Sequence, residues 1–368
     1  MQQCQAVSSG VRQCPAKSDI VDQIAIVAPL TEMSGNMSTA HRIALFFGRE
    51  AVLVDSSAVR QDQQILQQTF AALIVLHALR SATVIGPDGR LLIPASRCIL
   101  VFGGTDVNEY SKDPVHLATM TKVVDVADRC VCFSEVMERR VVSLWPHVRG
   151  KVWIIRQSVL IPPCRSDPTA HLTLGGQWMR TCVGSVGSIT ALGNSTLPVA
   201  LLPGGLRPVK DQLFAVRAWS RVTVPCLLVL VGSSIDDSYA QRVLREVMAL
   251  SNVVWCPGLN REALLLLMSE IRVQCVLNTS ISEGQAQSII EAMLMRKPCV
   301  VREIDENLDL VHPDRGIAVK DEACLAEVIN TWQPDDIAML DRAERFIREQ
   351  HSLDVESAQY HNVVLSVN

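Results

Sequence analysis

Residues 275–301 read CVLNTSISEGQAQSIIEAMLMRKPCVV, and the elements that they predict indicate the class of fold. Its apolar positions predict a strand over residues 275–279, a loop over residues 280–284, a helix that begins near Ala286 and a second strand around Pro298. A strand, a loop and a helix in this order form the repeating unit of a parallel sheet. Ligands of open parallel sheets bind at the carboxyl ends of the strands, so the loop is the natural place for a site.

Two glutamates of this stretch lie where a nucleotide could bind. Glu283 is in the loop, and Glu291 is in the second turn of the predicted helix. The free N–H groups at the start of that helix, near Gln285, Ala286 and Gln287, suit a phosphate. Glu291 can then accept hydrogen bonds from two neighbouring hydroxyls beyond the phosphate, as a ribose offers. The alternative is an ordinary surface helix with two solvated glutamates.

Composition limits the class of protein. The chain of 368 residues is long enough for two domains, and its 48% of apolar and 20% of charged residues indicate a globular protein. A net charge of −4 gives no basic field for nucleic acid. No apolar run approaches the roughly 20 residues of a membrane helix, although peripheral membrane contact stays open. Most of the twelve cysteines stand singly in apolar runs, which indicates a reducing, cytoplasmic setting.

Strand and helix patterns alternate on both sides of a segment rich in Gly, Ser, Thr and Pro. This alternation predicts an α/β protein with two doubly wound, Rossmann-like parallel sheets. The predicted divisions are a flexible tail at residues 1–19, a first domain at residues 20–160, a linker at residues 161–197 and a second domain at residues 198–368.

The stretch quoted first resembles the retaining glycosyltransferases of group 1, also called family 4, which carry two glutamates with seven residues between them. In that family the segment has EG, several apolar residues, EAM, and a glycine before PV. Here EG stands at residues 283–284 and EAM at residues 291–293, whereas Arg296 occupies the place of the glycine. The resemblance implies the GT-B architecture, in which two Rossmann-like domains face a cleft and the last helix crosses back onto the first domain.

A second motif is ALLPGGLRPVKDQ at residues 200–212, which predicts a strand, a glycine turn and a helix start. The resembling family has a Gly-Arg-Leu turn here, followed by a lysine that contacts the donor diphosphate. Lys210 matches that lysine, Gly205 occupies the arginine position, and Arg207 is expected to replace the arginine. Each cation would give a charge-assisted hydrogen bond of roughly 1.5–3 kcal/mol. The alternative is a solvated turn with two cations.

A third motif, CILVFGGTD at residues 98–106, predicts a buried strand that runs into a glycine turn. The family has Phe-His-Gly-Ser-Asp at this point, and its histidine contacts the donor sugar close to the reacting carbon. Gly103 stands at the histidine position. This variant is similar to that of the glycosyltransferase 1 domain-containing protein subgroup, and it leaves the sugar contact open.

Two further positions lie at predicted strand ends of the first domain. Gly35, in a Ser34-Gly35-Asn36 turn, would let backbone N–H groups approach a diphosphate or an acceptor, with a plain loop as the favoured alternative. His77 follows a predicted strand over residues 72–76, and a structural role is favoured over a catalytic one.

The function that the resemblance implies is transfer of a sugar from a nucleotide-sugar to an acceptor hydroxyl with retained anomeric configuration. Catalysis would rest on positioning and on charge stabilisation of the diphosphate, without a cofactor and, since no Asp-x-Asp motif is visible, without a metal. The residues expected to take part in catalysis are Glu283, which contacts a donor-sugar hydroxyl, Lys210 and Arg207. Those expected to bind the donor are Glu291, Gly284, Gln285, Ala286, Gly205, Gly35 and Gly103.

Two other functions stay open at the level of sequence. A nucleotide-binding or scaffold protein of the same fold that has lost transfer is favoured by Gly103, Gly205 and Arg296. A sugar-nucleotide epimerase is the third hypothesis, because such enzymes share this architecture. The sequence does not indicate the base or the sugar of the donor, the acceptor or the oligomeric state.

Overall fold

A computed structural model describes residues 23–30, 35–159, 197–333 and 336–365. Within these ranges the chain forms two parallel six-stranded sheets covered by helices. The predicted α/β architecture of two doubly wound sheets is therefore confirmed. The tail predicted at residues 1–19 and all but the last residue of the linker predicted at residues 161–197 lie outside the described residues.

The first sheet has the strand order β2-β1-β3-β4-β5-β6, and all of its pairings are parallel. Its strands are β1 (Ile24–Ala28), β2 (Ala51–Asp55), β3 (Ala72–Leu76), β4 (Cys98–Val101), β5 (Arg129–Cys132) and β6 (Val152–Ile154). The helices of this half are α1 (Gly35–Phe47), α2 (Gln63–Gln67), α3 (Gly104–Asn108), α4 (Pro114–Val126) and α5 (Glu135–Leu144). The strand order reverses between β1 and β3, so the loops after these two strands flank the topological switch point.

The second sheet has the strand order β12-β11-β10-β7-β8-β9, again with parallel pairings. Its strands are β7 (Val199–Pro203), β8 (Leu227–Val231), β9 (Val253–Cys256), β10 (Val273–Asn278), β11 (Cys299–Arg302) and β12 (Ile317–Val319). The helices are α6 (Gln212–Trp219), α7 (Asp237–Met248), α8 (Arg261–Ser269), α9 (Gln287–Leu294), α10 (Asp305–Val311), α11 (Glu322–Asn330), α12 (Ile337–Gln350) and α13 (Leu353–Leu365). Here the order reverses between β7 and β10.

Local sequence accounts for these elements. The central strands are apolar runs buried on both faces, as IAIVA in β1 and LLVLV in β8, because helices cover both sides of each sheet. Short polar side chains accept hydrogen bonds from first-turn N–H groups and so fix where helices begin. These caps are Asp62, Asp113, Ser134, Asp236, Asn260, Asp321 and Asp336.

The last helix, α13, packs on the first half of the molecule. Tyr360, Val363 and Val364 belong to the hydrophobic core of the first sheet. A buried ion pair joins the same helix to α1, where Arg42 Nε donates to Glu356 Oε2 over 2.9 Å. Ser158 also donates to Glu356, through its backbone N–H over 2.8 Å and its hydroxyl over 2.5 Å. The segment that leaves the first sheet is thus fixed between α1 and α13.

Removal of Glu356 should destabilise the fold strongly. Glu356→Ala leaves Arg42 buried without its counter-ion, and we expect the free energy of unfolding to fall by about 3–5 kcal/mol. The matched control is Arg348→Ala, which removes an ion pair with Glu344 from an arginine side chain that is 64% exposed. Its effect should stay within about 0.5 kcal/mol. Denaturant unfolding followed by circular dichroism measures both free energies. Equal losses in the two variants would contradict a stabilising role of the buried ion pair between α1 and α13.

Candidate active site

Glu283 lies in the loop after β10, at the switch point of the second sheet, and its side chain is buried. Its Oε1 atom accepts hydrogen bonds from Lys210 Nζ over 2.5 Å, Ser280 Oγ over 2.7 Å and Asn278 Nδ2 over 3.0 Å. Burial acts to raise the pKa of Glu283, but Lys210 and these hydrogen bonds outweigh it and hold the pKa below the ordinary value. Glu283 is therefore an ionised group in a fixed position.

Asparagines extend the support of Glu283. Asn307 Nδ2 donates to Asn278 Oδ1 over 3.2 Å, and the same oxygen accepts the backbone N–H of Ser280 over 3.0 Å. This leaves the Asn278 amide nitrogen turned toward Glu283. The sequence analysis did not select Asn278, Ser280 or Asn307. Asn278 ends β10 and Ser280 begins the predicted loop, so both were recognisable as polar residues near a strand end, whereas Asn307 comes from α10 and gave no signal.

Lys210 follows β7, on the other side of the same switch point, in a short 3-10 turn at residues 208–210. Its carbonyl accepts a hydrogen bond from Thr279 Oγ1 over 2.8 Å, which fixes the turn against the loop after β10. Asp211, the next residue, adopts the left-handed region with φ of 40°. The two motifs that the sequence analysis found separately thus meet at one edge of the sheet. Arg207 lies in the same turn, and its guanidinium has no hydrogen-bond or ion-pair partner among the described residues.

The glycines of the turn after β7 allow a close backbone approach. A methyl group at Gly232, which follows β8, would lie 2.1 Å from the Gly204 carbonyl oxygen. A methyl group at Gly205 would lie 2.6 Å from Ile235 Cγ1. Gln212 Nε2 donates to the carbonyls of Gly204 and Gly205 over 3.2 and 3.0 Å and so holds the turn from the start of α6. Gly205 is thus explained by close packing, and no donor contact is needed to account for it.

Glu291 is buried in α9 and pairs with a residue that the sequence analysis missed. Arg261 Nε donates to Glu291 Oε1 over 2.9 Å, and Arg261 Nη2 lies 2.8 Å from the same oxygen. Burial raises the pKa of Glu291 above its ordinary value, although the positive charges of Arg261 and Arg42 act against the shift. Arg42 belongs to α1, so a charge from the first half of the chain also acts on the Glu291 carboxylate. Arg261 begins α8, and no spacing in the sequence connects it with Glu291.

The start of α9 is tied to the first half of the chain by side chains. Gln285 Oε1 accepts the backbone N–H of Gln157 over 2.9 Å, and Gln285 Nε2 donates to the Phe133 carbonyl over 3.2 Å. Gln287 Nε2 donates to the Ser158 carbonyl over 3.1 Å. Within the described part of the chain, the backbone N–H groups of residues 285–287 have no hydrogen-bond partner. The side chains anchor the helix start while its amides stay available for an anion.

Two glycines bring the domains together beside Glu283. A methyl group at Gly104, the first residue of α3, would lie 2.4 Å from the Gly284 amide nitrogen, and one at Gly284 would lie 2.9 Å from the Gly104 nitrogen. Asn108, one turn further along α3, donates to the Glu283 carbonyl over 2.9 Å and to Glu306 Oε1 over 3.3 Å. The backbones of the two halves therefore touch at the edge of the candidate site, and Gly284 has a structural reason to be glycine.

The remaining predicted residues, Gly35 and Gly103, lie at strand ends of the first sheet. Gly35 and Asn36 form the first turn of α1 rather than a turn before it, and residues 31–34 lie outside the described residues. A methyl group at Gly35 would meet no atom within 4 Å, so space does not require the glycine. A methyl group at Gly103, in contrast, would lie 3.1 Å from His77 Cδ2. The space that a side chain at position 103 would enter borders the His77 imidazole.

None of the described helices is both long and apolar enough to span a membrane. Nor do three or more His, Cys, Asp or Glu side chains of these residues come together in a group suited to a metal ion.

Comparison with known proteins relates the chain to glycosyltransferases. Residues 198–333 match the family model described as "Glycosyl transferases group 1". The resemblance predicted from the sequence is thereby confirmed. The chain is also 25% identical over 363 residues to glycosyltransferase 1 domain-containing protein 1 of Xenopus tropicalis, across 94% of this chain and 98% of that protein. These matches support a glycosyl transfer function.

Solved structures show the same fold at low sequence identity. Anabaena HepE, solved in complex with UDP-glucose, superposes with a TM-score of 0.74 at 15% identity, over 94% of this chain and all of that one. Sucrose-phosphate synthase from Thermosynechococcus elongatus gives a TM-score of 0.69 at 13% identity, over 93% and 98% of the two chains. The two facing parallel sheets are those of a GT-B glycosyltransferase, as predicted.

The two candidate glutamates should make opposite contributions to the pH dependence of the free energy of unfolding. Since the folded pKa of Glu291 is raised, the wild type loses stability relative to Glu291→Gln as pH rises through that pKa. Since the folded pKa of Glu283 is lowered, the wild type gains stability relative to Glu283→Gln as pH rises toward the ordinary value of 4.5. Unfolding free energies measured between about pH 3 and pH 8 give both slopes. Slopes of the same sign would refute the electrostatic description of the site.

A methyl group at position 104 should open the contact between the domains. Gly104→Ala places a carbon against the Gly284 backbone, which has no flexible end that can move away, so we expect the halves to separate and stability to fall by about 1–3 kcal/mol. Gly150→Ala is the control, because a methyl group there would meet no atom within 4 Å. Small-angle X-ray scattering should show a larger radius of gyration for Gly104→Ala only. An unchanged radius would mean that the contact does not hold the domains.

Proposed function

We propose that this protein transfers a sugar from a nucleotide-sugar donor to an acceptor hydroxyl with retention of the anomeric configuration. The observation that carries the proposal is the arrangement of Lys210 and Glu283 on either side of the switch point of the second sheet, with Glu291 further along α9. A ligand at this point would extend from the domain contact at Gly284 toward Glu291. The UDP-glucose complex of HepE, which shares the fold, supports a nucleotide-sugar as the donor.

Lys210 and Arg207 are proposed to stabilise the diphosphate as it leaves. The Lys210 ammonium has three N–H donors and uses one of them on Glu283, so two stay available for phosphate oxygens. The Arg207 guanidinium, which has no partner among the described residues, and the free amides at residues 285–287 supply further donors. Preformed donors of this kind stabilise developing negative charge without reorganisation. We accordingly propose a reaction without a metal cofactor.

Glu291 is proposed to bind the ribose. An ionised carboxylate accepts about four hydrogen bonds, and the two contacts from Arg261 fall on Oε1 alone. Glu291 Oε2 has no hydrogen bond to another described residue and can accept a ribose hydroxyl. Burial raises the pKa of this carboxylate, and a buried carboxyl group with a perturbed pKa is a candidate functional residue.

Glu283 is proposed to orient the donor sugar rather than to attack it. Retaining glycosidases use one of two neighbouring carboxylates as the nucleophile. Glu283 instead has Oε1 surrounded by three donors, and its lowered pKa marks a weak base. We infer that it accepts a hydrogen bond from a sugar hydroxyl. The bond from the anomeric carbon to the diphosphate breaks with its electron pair on the phosphate oxygen. The acceptor oxygen bonds to the same face of that carbon, and its proton passes to the leaving phosphate oxygen.

A cytoplasmic, reducing location is also proposed. The eight cysteines of the described residues are free thiols, and seven of them are buried. Burial raises the pKa of Cys98 and Cys130 to about 12, so these thiols stay protonated and behave as small apolar side chains.

A nucleotide-binding protein without transfer activity is the second candidate function. The observation that favours it is Gly103, because the resembling family places a sugar-contacting histidine at that position. Such a protein would keep the Glu291 and Lys210 contacts and would bind nucleotide. Release of free sugar from a nucleotide-sugar, measured over long incubation, separates the two candidates.

Nucleoside diphosphates should raise the melting temperature of the wild-type protein. UDP, GDP and ADP form the panel, and a ligand at 100 times its dissociation constant adds about 2.7 kcal/mol. That free energy corresponds to a shift of several degrees at most. Glu291→Ala should abolish most of the shift, because the ribose contact is lost. Glu349→Ala, a change of the same type at an exposed position of α12, should leave it intact. If no nucleotide of the panel raises the melting temperature of the wild type, the proposal that this protein binds a nucleotide-sugar donor is wrong.

A further inference from the structure

His77 joins two side chains of α3 in a hydrogen-bonded chain beside the switch point of the first sheet. The residue follows β3, and its backbone is in the left-handed region with φ of 70°, a strained conformation that persists where surrounding contacts hold it. Its buried ring has Nδ1 2.7 Å from Asp106 Oδ1 and Nε2 2.8 Å from Thr105 Oγ1. The order carboxylate, imidazole, hydroxyl is the one that orients a reactive or ligand-binding hydroxyl in enzymes.

The direction of the protons in this chain follows from Asp106. Its carboxylate accepts backbone N–H groups of Ala78 over 2.9 Å, Gly103 over 3.0 Å and Leu79 over 3.2 Å, which fits an ionised group that only accepts. An unprotonated Nδ1 at 2.7 Å would set two lone pairs against each other, so Nδ1 carries the proton. The Arg80 backbone N–H, which points at Nδ1 from 3.3 Å, is the looser of the two contacts.

Thr105 is consequently restricted to one hydrogen-bonding role. With Nδ1 protonated, the neutral ring has Nε2 as an acceptor only, and the Thr105 hydroxyl donates its single proton to it. The free lone pair of Thr105 Oγ1 can then accept a hydrogen bond but cannot offer one. An oxygen held in this way selects a ligand group that donates, such as a sugar hydroxyl.

Thr105 lies at the contact between the two domains. Its neighbour Gly104 touches Gly284, and Asn108, one turn further along α3, donates to the Glu283 carbonyl. Residues three apart on a helix share a side, so Thr105 lies on the side of α3 that bears Asn108. Its side chain is only partly buried. The threonine therefore lies across the domain contact from the loop that carries Glu283.

We propose that Thr105 Oγ1 accepts a hydrogen bond from a hydroxyl of the transferred sugar, and that His77 and Asp106 are positioning residues that fix its direction. The inference rests on the proposed function, because it gives the sugar one contact from each domain. Glu283 contacts the sugar from the second domain and Thr105 from the first.

The test compares affinities for bare nucleotides and for nucleotide-sugars. Isothermal titration is carried out with UDP, GDP and ADP and with their glucose, galactose, mannose and N-acetylglucosamine derivatives. Thr105→Val should bind the tightest nucleotide-sugar about 5–10-fold more weakly than the wild type and bind the bare nucleotide unchanged. Thr105→Ser, which keeps the hydroxyl, should return within about twofold of the wild type. Thr119→Val, which removes a hydroxyl that bonds within α4, is the matched control and should change neither affinity.

A double-mutant cycle tests the role of the imidazole. Asparagine tolerates the left-handed backbone of position 77, so His77→Asn removes the ring with little added strain. His77→Asn should weaken nucleotide-sugar binding as Thr105→Val does, and the double variant should be no weaker than either single variant, because one hydrogen-bond chain is broken in all three. Additive losses would overturn the positioning role of His77.

Two other results would overturn the whole inference. Equal nucleotide-sugar affinity of Thr105→Val and the wild type would show that the hydroxyl contacts no sugar. An equal loss for bare nucleotide and nucleotide-sugar would show that the threonine serves the fold. Both results leave the proposed function standing, whereas a wild type that binds no nucleotide removes the proposed function and this inference together. If His77→Asn fails to fold, the comparison of Thr105→Val with Thr105→Ser still decides.

Discussion

The close approach of Gly104 and Gly284 is the constraint on which the candidate site depends. Two backbones from different domains meet where even a methyl group would lie within 3 Å of main-chain atoms. This contact sets Glu283 against the start of α3, and Asn108 secures it with a hydrogen bond to the Glu283 carbonyl. Side-chain packing at the same place would keep the domains several ångströms further apart. The residues on either side of the crevice would then not reach one ligand.

Both sheets present their candidate site residues at the point where the strand order reverses. In the second sheet, Lys210 follows β7 and Glu283 follows β10, and the two form an ion pair across the gap. In the first sheet, α1 follows β1 and His77 follows β3. Loops at such a point diverge to opposite faces of the sheet and leave a space between them. The crevice is thus a consequence of topology, and the glycines determine how tightly it closes.

Buried carboxylates differ in how well their partners offset burial, and Glu306, which pairs with Arg140, shares with Glu291 a pKa raised by burial. The ion pair between Arg42 and Glu356 joins the last helix to the first domain. Lys210 and the hydrogen bonds to Glu283 together outweigh the effect of burial, so the pKa of Glu283 is lowered. Glu291 differs, since Arg261 and Arg42 fail to offset its burial and its pKa is raised. Arg261 is 39% exposed, so water weakens its attraction for the carboxylate. The raised pKa of Glu291, together with an Oε2 atom that accepts no hydrogen bond from another described residue, supports the ribose contact proposed for this residue.

Local periodicity and short spacings were enough to predict the class of fold, the strand and helix order and the two motifs around Lys210 and Glu283. The helix predicted near Ala286 begins at Gln287, and the strand predicted around Pro298 begins at Cys299. Only the tertiary structure decided which side chains share an environment. Arg261 reaches Glu291 across thirty positions, Asn307 supports Asn278 across twenty-nine, and His77 borders Gly103 from another strand. Such contacts form between elements that are distant in the chain and come together only in the fold. Sequence periodicity, which reflects local structure, does not predict them.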